Sequence, residues 1–503
     1  MRRYPLVLLT LTITLLSWAT KAKAQDNSSL SSPIIPVTEL RDVRPTDWAF
    51  SALQQLQTRY QCIQGYPDRT FRGEQAMSRY EFAALLNRCL TQLEANLTDS
   101  ERAISQRLQT EFARELSILR GRVDGMTARV RELEITQFST TTKLRGLVNL
   151  VVTNSSQSGS DTRVALQARS RLNFNTSFTG RDLLLTRFTA GNATPPDLAE
   201  GTPELTQTHQ WRGNTENNMI LSKLTYQFPI AESAIAVLTP VGGQHADYNT
   251  PAINPFFEDD NSGTTTLSPF GQRNPILSLG GGTGVAVSHS LADSLQVGIG
   301  YYTKEANNPE GGLFNGSYTI GTRLKWDISK RLSVGVNYLH SFFEEGEFGF
   351  TDGLETPSNI VGTAVVNDTL AEFPTVTNAY GVEVFWEVTP KLAFGGSVGY
   401  TDVRAIDEGN GEIWNYAVCI VFPNLGQTNN LGGIIIGAQP YLASLEGTSS
   451  LSNDVPWHLE GFYKWQVNDQ ISLTPGLIWH LNPNQDERQN DILTSTMRMT
   501  LTF

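Results

Sequence analysis

From about Lys143 to Phe503 apolar and polar positions alternate with a period of two, the spacing of strands with two unlike faces. In 324–340, LKWDISKRLSVGVNYLH, Leu324, Trp326 and Ile328 alternate with Lys325 and Asp327. After a polar turn, Leu332, Val334, Val336, Tyr338 and His340 share one face. Stretches 384–400 (VFWEVTPKLAFGGSVGY) and 463–481 (YKWQVNDQISLTPGLIWHL) repeat the scheme of strand, tight turn and strand, with aromatics at the strand ends. The connections on the other side are long and rich in Gly, Asn, Asp and Pro; 190–216, 242–275, 341–375 and 424–431 are read as such. The chain ends on a strand, with Met497, Met499, Leu501 and Phe503 alternating with Arg498, Thr500 and Thr502. A sheet closed into a barrel accounts for such an end, because the last strand pairs with the first and no edge remains.

Short turns at one rim, long loops at the other and aromatics at strand ends predict a transmembrane antiparallel β-barrel over 143–503. At roughly 20–24 residues per strand and connection the segment holds about 16 strands, within a range of about 14–18, a size that leaves an aqueous channel. The fold class is mainly β.

Upstream the period changes. Leu90, Leu93, Leu97, Ile104, Leu108, Phe112, Leu116, Leu119, Val123, Met126, Val130 and Leu133 recur at threes and fours, which predicts a coiled-coil helix over 93–138. Leu90 to Leu133 would span about 66 Å at about 1.5 Å per residue. The regular fours from Ile104 to Leu116 read as a stutter, and Gly121 and Gly125 weaken the helix. A helix packed on its own chain is the other reading; the charged opposite face favours self-association.

Residues 37–92 read as a small helical module. Asp47 caps a helix bearing Trp48, Leu53 and Leu56. Gly65, Pro67, Asp68 and Gly73 mark a loop. Ser78 with Glu81 forms a capping box before Phe82, Leu85 and Leu86. At the very start, Arg2 and Arg3, the apolar run Leu6–Trp18 and Ala22-Lys23-Ala24 form a secretory signal over 1–24.

Composition narrows the class. Charged residues are 17%, below the roughly 25% of soluble proteins. The mean hydropathy of −0.24 is too low for a helical membrane protein, and the net charge of −12 argues against nucleic acid. An exported chain can form disulfides. Cys62 and Cys89 are the natural pair, with two buried thiols as the other reading, and Cys419 is an unpaired strand residue.

Asp42-Val43, Trp48-Ala49, Gly65 to Phe71 and Ser78-Arg79-Tyr80-Glu81 together resemble an S-layer homology domain. Arg69 stands where that family has a loop Gly, and Ser78-Arg79-Tyr80 replaces its Thr-Arg-Ala. The resemblance implies binding of cell-wall polysaccharide, peptidoglycan included. Trp48 would stack on a sugar, Arg79 would pair with a carboxylate, and Asp68 and Thr70 would shape the loop. Core and capping roles for the same residues stay open. One copy of the module suggests weak binding made effective by avidity.

Segments 457–483 and 267–276 (LSPFGQRNPI) resemble the OprB-like carbohydrate-selective porins. The order of signal, S-layer homology domain, coiled coil and barrel is similar to the major outer-membrane porins of cyanobacteria, relatives of which are also labelled iron-uptake porins. The resemblance implies the cell outer membrane, with the N-terminal module in the periplasm, and a homotrimer. It also implies recognition of the last strand, ending at Phe503, by the barrel-assembly machinery.

A porin selects by width and by rings of charge. The inward-folded element is expected to be 242–275, with Glu258, Asp259, Asp260 and Arg273 at the constriction. A solvated external loop is the other reading of these acids, and Glu344, Glu345 and Glu347 are read as external. The sequence carries no H-E-x-x-H, paired-carboxylate or phosphate-loop pattern, and GGGTG at 280–284 precedes a strand. No enzyme, cofactor or metal site is therefore expected. Two functions stand: a diffusion channel for small polar solutes and inorganic ions, sugars or iron among them, tied to the wall; or a structural tether with a plugged barrel.

Overall fold

The computed structural model describes residues 141–503 apart from 159–162, 249–250, 260–262, 310, 355–357, 448–451 and 453. Before 141 it describes 36–46, 69–72, 81–85 and scattered positions between 50 and 126. The chain divides into two units, 1–137 and 138–503.

In the first unit Val37, Leu40 and Val43 form a small apolar cluster with Phe50 and Phe71 against it. The Asp42 carboxylate accepts the backbone N–H groups of Phe71 (2.6 Å) and Arg72 (2.5 Å), so the acid opening the module ties down its loop. Arg69 has φ 61°, the left-handed conformation that favours Gly. Phe112, placed on the self-association seam, packs on Phe82 of the same chain at 4.8 Å between ring centroids.

The second unit is a closed antiparallel barrel of 16 strands. They are β1 (Thr142–Gln157), β2 (Ala165–Thr176), β3 (Leu183–Gly191), β4 (Ile220–Ala231), β5 (Ala234–Gly243), β6 (Gly282–Ala292), β7 (Leu295–Thr303) and β8 (Tyr318–Ser329). There follow β9 (Leu332–Phe343), β10 (Thr375–Thr389), β11 (Leu392–Ala405), β12 (Gly409–Pro423), β13 (Leu431–Leu445), β14 (Trp457–Gln466), β15 (Ile471–Leu481) and β16 (Ile492–Thr502). Each strand pairs with its sequence neighbours, and β1 pairs with β16 from Leu147↔Thr502 to Gln157↔Ile492. Phe503 extends that ladder. Its N–H donates to the Gly146 carbonyl (3.1 Å) and its carbonyl accepts from the Gly146 N–H (2.7 Å).

The alternation has opposite meanings on the two faces. Leu150, Val152, Val336, Val382, Val384 and Ile436 point outward and are exposed. Asn149, Thr153, Arg169, Arg171, Asn337 and Arg498 point inward and are buried. A sheet that is apolar outside and polar inside is stable when lipid is its outer solvent. Aromatics belt the apolar band. Tyr338, Tyr380, Tyr400 and Trp414 run ring to ring across β9–β12, at 5.3, 6.5 and 4.8 Å. Trp326, Trp386 and Trp465 stand exposed toward the opposite rim. Tyr318 and Trp326 on β8 are separated by roughly 26 Å of strand at about 3.3 Å per residue.

The connections after β4, β6, β8 and β10 are two residues each, and those after β3, β5 and β9 are the long ones. Both ends of the barrel chain lie at the short-turn rim. One expectation is corrected here: 424–431 does not belong with the long loops. Residues 424–430 join β12 to β13 at the short-turn rim. Cys419, on β12, is buried and free.

Candidate functional site in the barrel lumen

The connection 244–281 between β5 and β6 is folded into the barrel. Five of its side chains, four apolar and one tyrosine, dock against glycines on the inner wall. A Cβ added to Gly298 or Gly300 of β7 would lie 2.5 or 2.6 Å from the Tyr248 ring. One on Gly335 (β9) would meet Ile253 at 2.9 Å, on Gly433 (β13) Phe257 at 2.7 Å, and on Gly476 (β15) Leu267 at 2.6 Å. Gly381 of β10 likewise faces Ile276. The wall carries sockets, and the loop supplies the pegs.

Polar bonds complete the docking. The Glu460 carboxylate on β14 accepts from the backbone N–H of Leu267 (2.6 Å) and Ser268 (3.1 Å). Asn149 and Thr500 donate to the Gly263 carbonyl at 3.0 Å each. Arg498 donates to the Thr266 carbonyl (2.9 Å) and to Thr208 Oγ1 (2.8 Å). Carboxylate and guanidinium bonds of this kind are stronger than neutral ones. Two further connections enter. The segment 192–219 buries Leu205, Gln207, Thr208 and Trp211, and 344–374 buries Phe348, Phe350, Val361 and Val366 with its helix α1 (Ala364–Ala371).

The expected constriction residues divide. Arg273 Nε lies 3.8 Å from Glu258 Oε1, and the Arg273 guanidinium lies over the Trp211 ring at 5.8 Å. Glu258 Oε2 is also 3.6 Å from the Arg323 guanidinium, which is 3.7 Å from Glu383 on β10. Glu258 and Arg273 are thus brought together inside the barrel. Asp259 accepts from the N–H (2.9 Å) and Oγ1 (2.7 Å) of Thr264, which folds its own loop. Asp260 lies outside the described residues. Glu344 and Glu345 are exposed in the β9–β10 connection, and Glu347 pairs with Lys304.

Of the wall-binding candidates, Thr70 is half-buried and accepts from Arg72 Nε at 3.3 Å. Trp48, Asp68, Arg79 and the cysteines Cys62 and Cys89 lie outside the described residues.

The cations of the wall were not singled out from sequence. Arg171 (β2), Arg187 (β3), Lys223 (β4), Arg212 and Arg273 line one space with Asp247. It is narrow, with about 10 Å³ free, room for roughly one water. Gln167, Arg169, Arg171 and Asn173 alternate with Leu166, Ala168, Ser170 and Leu172. That period-two polar row was the signal that could have found them.

The comparisons agree with this geometry. The model of the family described as "Carbohydrate-selective porin, OprB family" matches residues 101–503, and that of the S-layer homology domain matches 39–83. An uncharacterized protein of Nostoc sp. is 38% identical over 506 residues, covering 95% of this chain and 87% of that one. An uncharacterized protein of Synechocystis sp. is 32% identical, covering 93% and 91%. Outer membrane protein SlpA of Deinococcus radiodurans is 37% identical over 112 residues, 21% of this chain and 9% of that one. The high-pH structure of Pseudomonas putida OprB superposes with a TM-score of 0.52 at 10% identity, covering 74% of this chain and 96% of that one. Barrel, lumen and family match converge: the chain is an outer-membrane protein with an S-layer homology domain and belongs to the OprB family of carbohydrate-selective porins.

Proposed function

We propose that the protein is a passive channel for small polar solutes, sugars and inorganic ions, iron among them, held to the cell wall by its N-terminal module. The observation that carries this is the inverted barrel: an apolar outer face around a polar, charged lumen. Such polar inner walls suit solutes that shed part of their hydration. The inward connection 244–281 narrows the path, with Glu258, Asp259, Asp260 and Arg273 as its constriction residues. The module binds wall polysaccharide through Trp48, Asp68, Thr70 and Arg79. A homotrimer would multiply one weak module threefold.

The test is conductance of the detergent-extracted protein in planar bilayers, with liposome swelling in sugars. Stepwise conductance in multiples of a unit supports an oligomeric channel. Sedimentation with purified wall, lost on truncation before residue 93, tests the tether separately.

One observation favours the second reading, a tether with a closed barrel. Three connections enter the lumen, and the space between Arg171, Arg187 and Arg273 holds roughly one water. A folded barrel without conductance would establish that reading.

A further inference from the structure

The connection between β7 and β8, 304–317, carries the most exposed large apolar side chain among the described residues. That side chain is Phe314, at 87%, with Leu313 beside it at 49%. Gly312 (φ 71°) and Gly316 (φ 83°) bracket the pair in left-handed conformations that favour glycine. The Thr303 hydroxyl donates to the Ser317 carbonyl at 2.9 Å and closes the base of the loop. Lys304 Nζ donates to the Glu347 carbonyl at 2.8 Å, which ties that base to the connection 344–374.

The side of the wall on which the tip lies follows from β7. Gly298 and Gly300 face the Tyr248 ring inside the barrel, so Ile299 and Tyr301 face outward. Tyr301 Oη donates to the Leu313 carbonyl at 2.5 Å, and the Phe314 ring lies 6.0 Å from the Tyr301 ring. The tip is thereby held over the outer face. Tyr301 stacks in turn on Tyr318 of β8 at 6.1 Å, and Tyr318 meets Phe342 of β9 at 6.2 Å. These three form an aromatic row on the lipid-facing side, at the rim of the long connections. Glu305 lies back against Gly311 and Gly316, and the stretch 311–317 itself contains no charged residue.

We infer that this connection is a membrane-surface anchor, in which Leu313 and Phe314 enter the lipid at the boundary between head groups and acyl chains. The partner is the lipid surface. Aromatic side chains favour this layer, and an exposed apolar tip marks a contact surface. Here the tip is continuous with a wall that already faces lipid, so it meets lipid without rearranging. Two apolar side chains at one rim fix the depth of that rim in the bilayer and keep this connection off the mouth of the lumen. The anchor goes beyond the channel reading and does not depend on whether the barrel conducts.

The test uses the full-length protein folded in dioleoylphosphatidylcholine vesicles, with p-benzoylphenylalanine in place of Phe314. The folded band on gels shows that each variant is assembled. Illumination is expected to add the mass of a lipid to the peptide that holds residue 314. The same probe in place of Pro309, exposed in the same connection, should capture several times less. A cross-link between two copies of the chain would make a second copy the partner, and a probe that captures neither would place the tip in water. Either result overturns the anchor, as does equal capture at 309 and 314, which chance collision gives. Hydrogen exchange reads the native side chains. Leu313→Ser combined with Phe314→Ser should speed exchange of 311–316 in the vesicles severalfold while β7 and β8 stay protected. An unchanged rate in that double variant overturns the anchor as well.

Discussion

The ring of Tyr248 occupies the space that a side chain on Gly298 would need, 2.5 Å from an added Cβ. Gly300 meets the other edge of the ring, and Tyr248 Oη shares a hydrogen bond of 3.0 Å with His245. A glycine on the inner face of a strand gives up packing and strand propensity, and here that loss admits a loop side chain. Gly298→Ala should push Tyr248 out, costing about 1–3 kcal/mol locally, the range for overpacking. The barrel should still fold. Hydrogen exchange of 244–259 is expected to rise while β7 stays protected; unchanged protection in the loop would show that the socket is not what holds it.

The barrel itself was legible in the alternation. Hairpins 324–340, 384–400 and 463–481 are β8–β9, β10–β11 and β14–β15, because period two and a polar turn are local signals. The segment 424–431 was misplaced for a physical reason. Which rim a connection occupies follows from the count of strands before it, and a seven-residue turn rich in Asn and Gly looks like a loop from either side. Reach into the lumen was legible only for 242–275; the entry of 192–219 and 344–374 was not. Docking depends on pairs such as Gly381 with Ile276 and Glu460 with Leu267, which are far apart in sequence and carry no local pattern. The acids 258–260 stand out as a run, whereas Arg171 and Arg187 are spread over two strands.

The Gly146–Phe503 pair closes the barrel at its seam. The Phe503 ring lies against Gly146, where any Cβ would strike it, and the two backbones exchange both hydrogen bonds. An aromatic over a cross-strand glycine shields that backbone. Gly146→Val should displace the ring, and Phe503→Ala should leave the seam bare. Both are expected to lower the temperature at which the folded band is lost on gels, by about 1–2 °C for each kcal/mol lost in a barrel of this size. If assembly machinery reads the terminal aromatic, Phe503→Ala should also reduce the amount assembled in the outer membrane while Gly146→Val does so less. Equal membrane levels for Phe503→Ala and the unaltered chain would remove that role.

Arg323 is fully buried between Glu258 of the inward connection and Glu383 of β10, and Asn337 donates to Glu383 at 2.8 Å. Removing the cation alone leaves two buried carboxylates facing each other. Arg323→Met should cost about 3–5 kcal/mol, the penalty of breaking a buried pair from one side. Replacing Glu383 as well, Arg323→Met with Glu383→Gln, should recover part of it, because a buried polar group costs less than a buried charge. Denaturant midpoints of the three proteins test this. A double variant no more stable than the single would mean that Glu258 and Arg323 are the pair that matters.

Glu204, in the connection 192–219, is expected to make the loops' packing depend on pH. Its carboxylate is buried and accepts the Asn484 N–H at 2.6 Å, joining this connection to the one between β15 and β16. Gln439 donates to the Glu204 carbonyl at 2.8 Å. Burial outweighs the Asn484 bond and raises the carboxyl from its ordinary value of 4.5 to about 7. Below pH 4.5 the carboxyl is protonated whether the loop is packed or open, so its stabilising share is fully present. Between 4.5 and about 7 the packed form binds a proton that the open form has released, and stability falls as pH rises. Above 7 the loss levels off, at about 3 kcal/mol for a shift of this size. Hydrogen exchange of 199–206 and 483–486, corrected for intrinsic rates, should be slower at pH 5 than at pH 8.5. Glu204→Gln, which keeps the shape and cannot ionise, should flatten that dependence. A slope that persists in Glu204→Gln would assign the pH response to another group.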